Sequence, residues 1–296
     1  MNGIDFRAVR RHFGRAATTY DAAAALQREV ESRLLESLVF AKVEPNVVLD
    51  LGAGTGHASA ALKKRWPKAE VIALDAALPM LVAARSHHGW LRKFARVAGD
   101  ARALPLREGA VDLLFSNLCL QWCPDLPAVL DEFRRVLRPG ALLLFSTFGP
   151  DTLRELRAAF ATVDQAPHVA RFPDLPVIGD ALLAAGFRDP VVDIDTITTT
   201  YTDARALMRE LKALGATNAA TDRPGGLGGR RRIEQACAAY EVHRTDGRLP
   251  ATWEIITAMA FAPEPGQPRR ARDGGQIAAF DVAKLRGSRV RRNASD

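Results

Sequence analysis

The sequence of 296 residues contains little cysteine and has no long apolar segment. Its three cysteines, Cys119, Cys123 and Cys237, are too few and odd in number for a disulfide framework, which favours a reducing compartment. No apolar run approaches the roughly 20 residues that a membrane-spanning helix needs. Residues 1–15 are polar and basic and lead into no apolar segment typical of a secretory signal. We therefore expect a cytoplasmic protein that does not enter a membrane.

The composition, with 48% hydrophobic and 25% charged residues, is that of an ordinary globular protein. The net charge of +7 is unevenly placed, because eight lysines and arginines stand against four acids between Glu264 and Asp296. The rest of the chain carries only +3, which attracts acidic proteins as readily as nucleic acids. We interpret residues 263–296, which lose all periodicity, as a disordered basic tail.

Short apolar runs alternate with helical patterns between Val47 and Thr147, in the order VVLDL, AEVIALD, RVAGD, VDLLFS and ALLLFST. Strands that alternate with helices predict parallel βαβ units and a doubly wound α/β sheet. Amphipathic spacing from His12 to Phe40 predicts one or two helices before the first strand. The expected domain of residues 1–262 then comprises N-terminal helices at 5–40, a core at 45–150 and a substrate part at 151–262.

The substrate part begins with a predicted helix at Thr152–Ala166, followed by one or two strands within Val191–Tyr201, which is rich in valine, isoleucine and threonine. Between Thr202 and Ala262 the pattern predicts further helical stretches. A glycine-rich segment at residues 223–229 interrupts them and predicts a mobile loop.

The sharpest local signal is a buried strand that runs into a glycine turn and then a helix near His57. Glycines allow tight backbone conformations and the close approach of a ligand. Asp75 ends the second strand, where an acid accepts both hydroxyls of a ribose. Asp100 and Ala101 end the third strand and are expected near an adenine edge. The predicted cofactor residues are Asp50, Gly52, Gly54, Gly56, Asp75, Asp100, Ala101 and Asn117.

Three interpretations of this motif stay open at this point. A dinucleotide-binding fold normally has G-x-G-x-x-G, whereas here the spacing is G-x-G-x-G. A purely structural glycine turn would only link a strand to a helix. The acidic strand with G-x-G-x-G, the acidic end of strand two and Gly99-Asp100 after strand three together resemble the class I S-adenosylmethionine-dependent methyltransferases. That resemblance implies a Rossmann-like, mostly parallel seven-stranded sheet with a helical lid insertion and S-adenosylmethionine as cofactor.

Methyl transfer from a sulfonium requires chiefly that the nucleophile be held in line with the S–CH3 bond. A carboxylate nucleophile needs no base, because its ordinary pKa near 4 leaves it ionised at neutral pH. The sequence accordingly shows no histidine that we interpret as a catalytic base. Cys119 and Cys123 lack nearby histidine or cysteine partners, so we assign them no metal.

Four further motifs are more particular than the cofactor turn. They are FGRAA with Tyr20, SNL with Gln121-Trp122, His168 with Arg171-Phe172, and LKALGAT at residues 211–217. Together they resemble the malonyl-[acyl-carrier-protein] O-methyltransferase family of biotin synthesis, from about Phe13 to Phe261. The tail and the glycine-rich form of the loop at residues 224–229 depart from that pattern.

The resemblance implies methylation of the free carboxylate of malonyl-acyl carrier protein, which starts pimeloyl synthesis for biotin. It implies catalytic roles for Tyr20, Asn117 and Trp122, although Trp122 is equally well explained as a packing residue. Tyr20, Arg171 and Lys212 are the expected substrate contacts; the two cations would hold the malonyl carboxylate or the phosphate of the carrier's prosthetic arm. Arg223, Arg230 and Arg231 flank the loop and are expected to meet the acidic carrier.

Two other functions compete with this hypothesis. The first is a class I methyltransferase that acts on another small carboxylic acid or on an oxygen or nitrogen nucleophile. The second is a nucleic-acid-binding protein that uses the basic tail, where Phe280 is the single aromatic residue and stacking on bases is poorly supported. We expect a monomer that binds no nucleic acid.

Overall fold

The computed structural model describes residues 3–89, 93–221, 229–264, 269–270 and 276–277. The strands are β1 (Val47–Leu51), β2 (Glu70–Asp75), β3 (Ala95–Ala98), β4 (Val111–Ser116), β5 (Leu137–Phe148), β6 (Arg188–Tyr201), β7 (Leu249–Phe261), β8 (Arg269–Arg270) and β9 (Gln276–Ile277). The α-helices are α1 (Phe6–Ala16), α2 (Tyr20–Ala23), α3 (Ala25–Ala41), α4 (His57–Arg65), α5 (Leu78–Ala83), α6 (Leu126–Val136), α7 (Arg154–Ala161), α8 (Leu175–Ala184), α9 (Ala204–Ala213) and α10 (Gly229–Tyr240).

Seven strands form one sheet in the order β3-β2-β1-β4-β5-β7-β6. The pairs from β3 to β5 are parallel, whereas β7 runs antiparallel to both β5 and β6. The chain order reverses between β1 and β4, and the crevice at such a point is where open α/β sheets bind ligands. The predicted doubly wound, mostly parallel seven-stranded sheet is therefore confirmed.

Three helices precede β1, so the helices predicted between His12 and Phe40 are confirmed, with α1 beginning earlier than expected. Asp5 caps α1 by accepting a hydrogen bond from the backbone N–H of Ala8. In α3, the residues buried at a spacing of four are Leu26, Val30, Leu34 and Leu38. This buried stripe fixes α3 against the body of the protein, and Gln27 and Glu31 on an adjoining stripe line a cavity beside the helix.

The expectation of helices throughout Thr202–Ala262 was wrong for the last part, where Leu249–Phe261 forms strand β7. Nine of the 13 residues of β7 are buried and the other four are half-buried, because this strand lies between two others and is covered on both faces. A strand buried in this way loses the alternation that distinguishes strands from helices in sequence. The helix α10 starts at Gly229, the last residue of the predicted loop.

The predicted tail of residues 263–296 lies largely outside the described residues, as does Arg223 with most of the predicted glycine-rich loop. Within the tail, β8 and β9 pair antiparallel. The disorder of the tail and the boundary at residue 262 therefore stay predictions. Over the described part of the chain, no helix combines the length and the apolar character needed to cross a membrane.

Candidate active site

The loop between β1 and α4 uses its glycines for different purposes. At Gly54 φ is +54°, and of the described atoms only the Tyr20 ring, 3.9 Å away, would lie within 4 Å of a Cβ. The backbone at Gly54 therefore borders open space. At Gly56 φ is +79°, and a Cβ would lie 2.9 Å from Ala84 and 3.0 Å from the Phe94 ring. Gly56 is thus required for the packing of α4, and the structure does not place it beside the cavities described below.

Gly52 joins the turn to the segment that follows β4. Its N–H donates to the carbonyl of Leu74, at 2.8 Å. A Cβ at Gly52 would lie 2.5 Å from the sulfur of Cys119, so only glycine fits. A hydrogen bond to the Cys123 thiol, together with burial, raises the pKa of Cys119. This thiol stays protonated and serves as a packing group.

Asp75, at the carboxyl end of β2, is bound to the same turn. Its carboxylate accepts the N–H of Gly54 at 2.9 Å and the N–H of Ala77 at 2.7 Å. Burial raises the pKa of Asp75, and the backbone hydrogen bonds oppose that rise. The two donors hold the carboxylate at the edge of the crevice.

The first cavity, which we call the crevice cavity, has a volume of about 700 Å³ including the open space at its mouth. Its lining comprises residues of the glycine turn, of the ends of β2, β3 and β4, and of the N-terminal helix. Among them are Gly54, Asp75, Gly99, Ala101, Asn117, Phe6, Phe13 and Met80. This cavity therefore lies where the order of the strands reverses.

Asp100 does not line the crevice cavity. It is ion-paired with Arg102 at 2.6 Å, and this contact lowers the pKa of Asp100. Of the two residues predicted after β3, the structure therefore brings Ala101 to the cavity and turns Asp100 toward Arg102.

The second cavity, the helix cavity, lies between α2, α3 and the glycine turn and has a volume of about 650 Å³ including open solvent. Asp50 lines it, is buried, and accepts a hydrogen bond from Ser59. Burial raises the pKa of Asp50 to about 7, helped by the nearby carboxylates of Glu31 and Asp75. Glu31 is bonded to His57 at 2.6 Å, and burial raises the pKa of Glu31.

Tyr20, at the start of α2, lines both cavities together with Gly52 and Asn117. Its hydroxyl has no hydrogen-bond partner among the described residues. Burial raises the pKa of Tyr20, and the charge of Asp75 raises it further. The hydroxyl is therefore protonated at neutral pH and available as a donor.

Asn117 has both ends of its side chain occupied. Its Nδ2 donates to the backbone carbonyl of Gln27 at 2.9 Å, and its Oδ1 accepts from Ser146 at 2.8 Å. Asn117 therefore fixes α3 against β5 where the two cavities meet. Trp122 lies edge-on to Phe13, with ring centroids 5.3 Å apart, and lines the crevice cavity.

A third cavity, the apolar cavity, shares Trp122 with the crevice cavity and has a volume of about 620 Å³ including open solvent. Its walls are mostly aromatic and aliphatic, and they include Phe148, Leu156, Phe172, Leu211 and Trp253. His168 also lines it, bonded to Asp164 at 2.8 Å and stacked on Phe160 at 4.1 Å.

The two predicted substrate cations lie in different places. Arg171 is exposed and lines a groove formed also by Trp122, Pro173 and Ile178. No acidic side chain of the described residues pairs with it. Lys212 lies in the last turn of α9 and lines none of the cavities described, so the structure does not bring it to them.

The predicted carrier-docking arginines are partly within the described residues. Arg230 and Arg231 are exposed at or near the start of α10, and Arg230 forms an ion pair with Glu234 at 3.1 Å. Their neighbour Arg232 approaches Asp164 at 3.5 Å. The start of α10 therefore presents positive charge to solvent.

Sequence reasoning missed the residues that α3, β5 and β7 contribute. On α3, Gln27 and Glu31 are four residues apart and line the helix cavity. That spacing puts both side chains on one face of the helix. A search of the sequence for polar residues four apart, next to the apolar stripe, could have found them. Phe148 and Trp253, which belong to β5 and β7, carried no local signal.

A family model described as a methyltransferase domain matches residues 49–145. The chain is 53% identical to the malonyl-[acyl-carrier protein] O-methyltransferase of Xylella fastidiosa, over 96% of this chain and 97% of that protein. It is 47% identical to the protein of the same name from Halorhodospira halophila, over 96% of each chain. The YcgJ protein of Bacillus subtilis shares the fold, with a TM-score of 0.56 at 17% identity, over 78% of this chain and 98% of that one.

The relatives, which match over nearly their full length, place the chain within one family. A glycine turn, an acid at the end of β2 and a crevice at the reversal of strand order occur together, as in nucleotide-type sites generally. The chain belongs to the malonyl-[acyl-carrier protein] O-methyltransferase family, and it is an S-adenosylmethionine-dependent methyltransferase.

Proposed function

We propose that this enzyme methylates the free carboxylate of malonyl-acyl carrier protein to give the methyl ester, the first step toward the pimeloyl chain of biotin. The substrate assignment rests on two relatives of that name. They are 53% and 47% identical to this chain over 96% of its length. The ester has a physical purpose, because a charged carboxylate is costly to bury in the pockets that extend apolar acyl chains.

The residues present fit the cofactor. The open space over Gly54 admits a ligand against the backbone, where a larger side chain would stand in the way. The Asp75 carboxylate would accept the ribose hydroxyls, and Ala101 with Gly99 would border the base. Asp50 and Glu31 present carboxyl groups in the helix cavity, where we place the positively charged amino acid end of the cofactor. When bound, the cofactor supplies an electrophilic methyl group on a positively charged sulfur.

The protein's part in the reaction is to orient and to exclude water. Tyr20, Gly52 and Asn117 line both the crevice cavity and the helix cavity, so we place the reacting centre beside them. The apolar cavity reaches this point past Trp122 and would carry the malonyl end. No base is needed, because the malonyl carboxylate is already ionised. We infer that the protonated Tyr20 donates a hydrogen bond to that carboxylate.

Replacing Tyr20 by Phe should lower kcat/KM for malonyl-carrier protein by about 10- to 100-fold, since a hydrogen bond to a charged group contributes about 1.5–3 kcal/mol. Affinity for S-adenosylhomocysteine, measured by calorimetry, should stay within about threefold. Tyr201→Phe is the matched control, because it removes a hydroxyl that donates to Glu210, away from the cavities. Equal rates for Tyr20→Phe and Tyr201→Phe would remove Tyr20 from the mechanism.

The remaining substrate contacts are proposed at the surface. Arg171 borders a groove that shares Trp122 with the apolar cavity, and its guanidinium suits the phosphate of the carrier's prosthetic arm. Arg230 and Arg231 would attract the acidic carrier itself. We further propose that the monomer is the active unit.

Reversing the charge of Arg230 and Arg231 to Glu should raise KM for malonyl-carrier protein about tenfold at low salt. The difference should shrink as salt rises, because exposed charges are screened over about 8–10 Å. Turnover of malonyl-coenzyme A, which lacks the carrier, should change little. Reversing Lys64 and Lys68, two exposed cations at and just beyond the end of α4, is the matched control. An unchanged salt profile for the α10 variant would exclude this docking surface.

The proposed function itself is tested by incubating purified full-length enzyme with S-adenosylmethionine and malonyl-acyl carrier protein. Mass spectrometry should show one added methyl group that is lost on mild alkaline hydrolysis. Acetyl-carrier protein, which has no free carboxylate, is the control and should gain no methyl group. Methylation of other small acids but not of the malonyl carrier would assign the enzyme to the competing substrate class.

A further inference from the structure

Two residues line the apolar cavity and also one of the two cavities where we place the cofactor, the crevice cavity or the helix cavity. Trp122 lines both the crevice cavity and the apolar cavity. Gln27 of α3 lines both the helix cavity and the apolar cavity. A methyl acceptor that extends from the apolar cavity toward the cofactor would therefore come close to both residues.

The amide of Gln27 is in an unusual state for a buried polar group. Its Oε1 is buried without a hydrogen-bond partner in the described part of the structure. Buried polar atoms are nearly always paired, by protein, by water or by a ligand. The backbone of the same residue is held firmly, because its carbonyl accepts from Asn117. Gln27 therefore combines a fixed backbone with a side-chain amide that is free to pair with a ligand.

An amide offers the chemistry that a carboxylate at this place needs. Rotation about the last side-chain bond exchanges the oxygen and the nitrogen, which presents two N–H donors. An anion that leaves water for a cavity lined by Phe148, Phe172 and Trp253 requires such donors. A neutral donor also adds no positive charge beside a sulfonium, which an arginine or lysine would do.

We propose that Gln27 binds the carboxylate of the substrate, donating to the oxygen that is not methylated. This rests on the proposed function. The other oxygen forms the new C–O bond while the S–CH3 bond breaks and its electron pair stays on sulfur. No proton moves, so Gln27 leaves the step unchanged. Gln27 and Tyr20 then hold the carboxylate between them, and Gln27 selects acceptors that end in a carboxylate.

The test compares Gln27→Met and Gln27→Glu with the wild-type enzyme. Gln27→Met keeps the length of the side chain and removes the donors, so kcat/KM for malonyl-carrier protein should fall about 10- to 100-fold. Affinity for S-adenosylhomocysteine should stay within about threefold. Gln27→Glu should fall further at pH 8, because two carboxylates repel. Lowering the pH to 6 should restore part of this activity relative to wild type, since a protonated Glu donates again.

Glu29→Leu is the matched control, because Glu29 is exposed on the same helix and pairs with Arg33, away from the cavities. It should behave as wild type. A purely structural role for Gln27 would produce no difference in pH profile between Gln27→Glu and wild type. If the wild-type enzyme methylates the malonyl carrier and Gln27→Met does so within about twofold of its rate, the inference is overturned. If the wild type does not methylate that substrate, the proposed function fails instead.

Discussion

Replacing Asp75 by Ala should raise the dissociation constant of S-adenosylhomocysteine by about 100-fold. Two hydrogen bonds from ribose hydroxyls to a carboxylate contribute about 1.5–3 kcal/mol each before water compensates, and each 1.4 kcal/mol is about tenfold. The same change leaves the N–H groups of Gly54 and Ala77 without their acceptor, and so loosens the turn. Calorimetry on the folded variant measures the effect.

Two variants make this prediction specific. Asp75→Asn keeps the shape and one acceptor, so its affinity should fall about tenfold. Asp100→Ala should leave affinity within about threefold, because Asp100 is paired with Arg102 and does not line the crevice cavity. Equal losses at Asp75 and Asp100 would contradict the site as described, since they would place the ribose between the two acids.

Gly54→Ala should mainly weaken cofactor binding, whereas Gly56→Ala should mainly lower the stability of the fold. Both require a left-handed backbone, which costs roughly 1–2 kcal/mol for a residue with a Cβ. At Gly54 the new methyl group projects into open space bordered by Tyr20, so cofactor affinity should drop at least about tenfold with a modest loss of stability. At Gly56 the methyl group meets Ala84 and Phe94, which adds about 1–3 kcal/mol of overpacking.

Thermal unfolding and calorimetry separate the two outcomes. Gly56→Ala should lower Tm by several degrees more than Gly54→Ala, while its folded fraction binds S-adenosylhomocysteine nearly as the wild type does. Gly109 provides the control, because it has φ +58° and no described atom would lie within 4 Å of a Cβ there. Gly109→Ala therefore reports the backbone cost alone. Normal affinity in Gly54→Ala would remove this glycine from the cofactor site.

The proposed cofactor half of the site could be predicted from sequence because its signals are local. A buried strand, a glycine turn and an acid 21 residues after Gly54 all lie close together in sequence. The pattern could not show what each of these residues contacts in the folded protein. Gly56 matches the motif but serves packing, and Asp100 matches an acidic strand end but pairs with the arginine two residues later.

The proposed substrate half of the site was less predictable because distant segments build it. The apolar cavity joins Gln27 of α3, Phe148 of β5, His168 and Trp253 of β7. Tertiary pairing decides such a site, and β7 itself was misread because its burial on both faces hides the period of a strand. Gln27 stands out only when its unpaired oxygen is seen beside two cavities.

The position of β7 has a consequence for synthesis of the chain. β6 ends about sixty residues before β7 does, yet in the described sheet it joins the other strands only by pairing with β7. Until Phe261 leaves the ribosome, the edge of β5 that β7 will cover stays open, and β6 lacks the neighbour to which it bonds in the finished sheet. The strands β1 to β5 can therefore assemble while translation continues, whereas the apolar cavity, where we propose that the acyl group binds, is completed last.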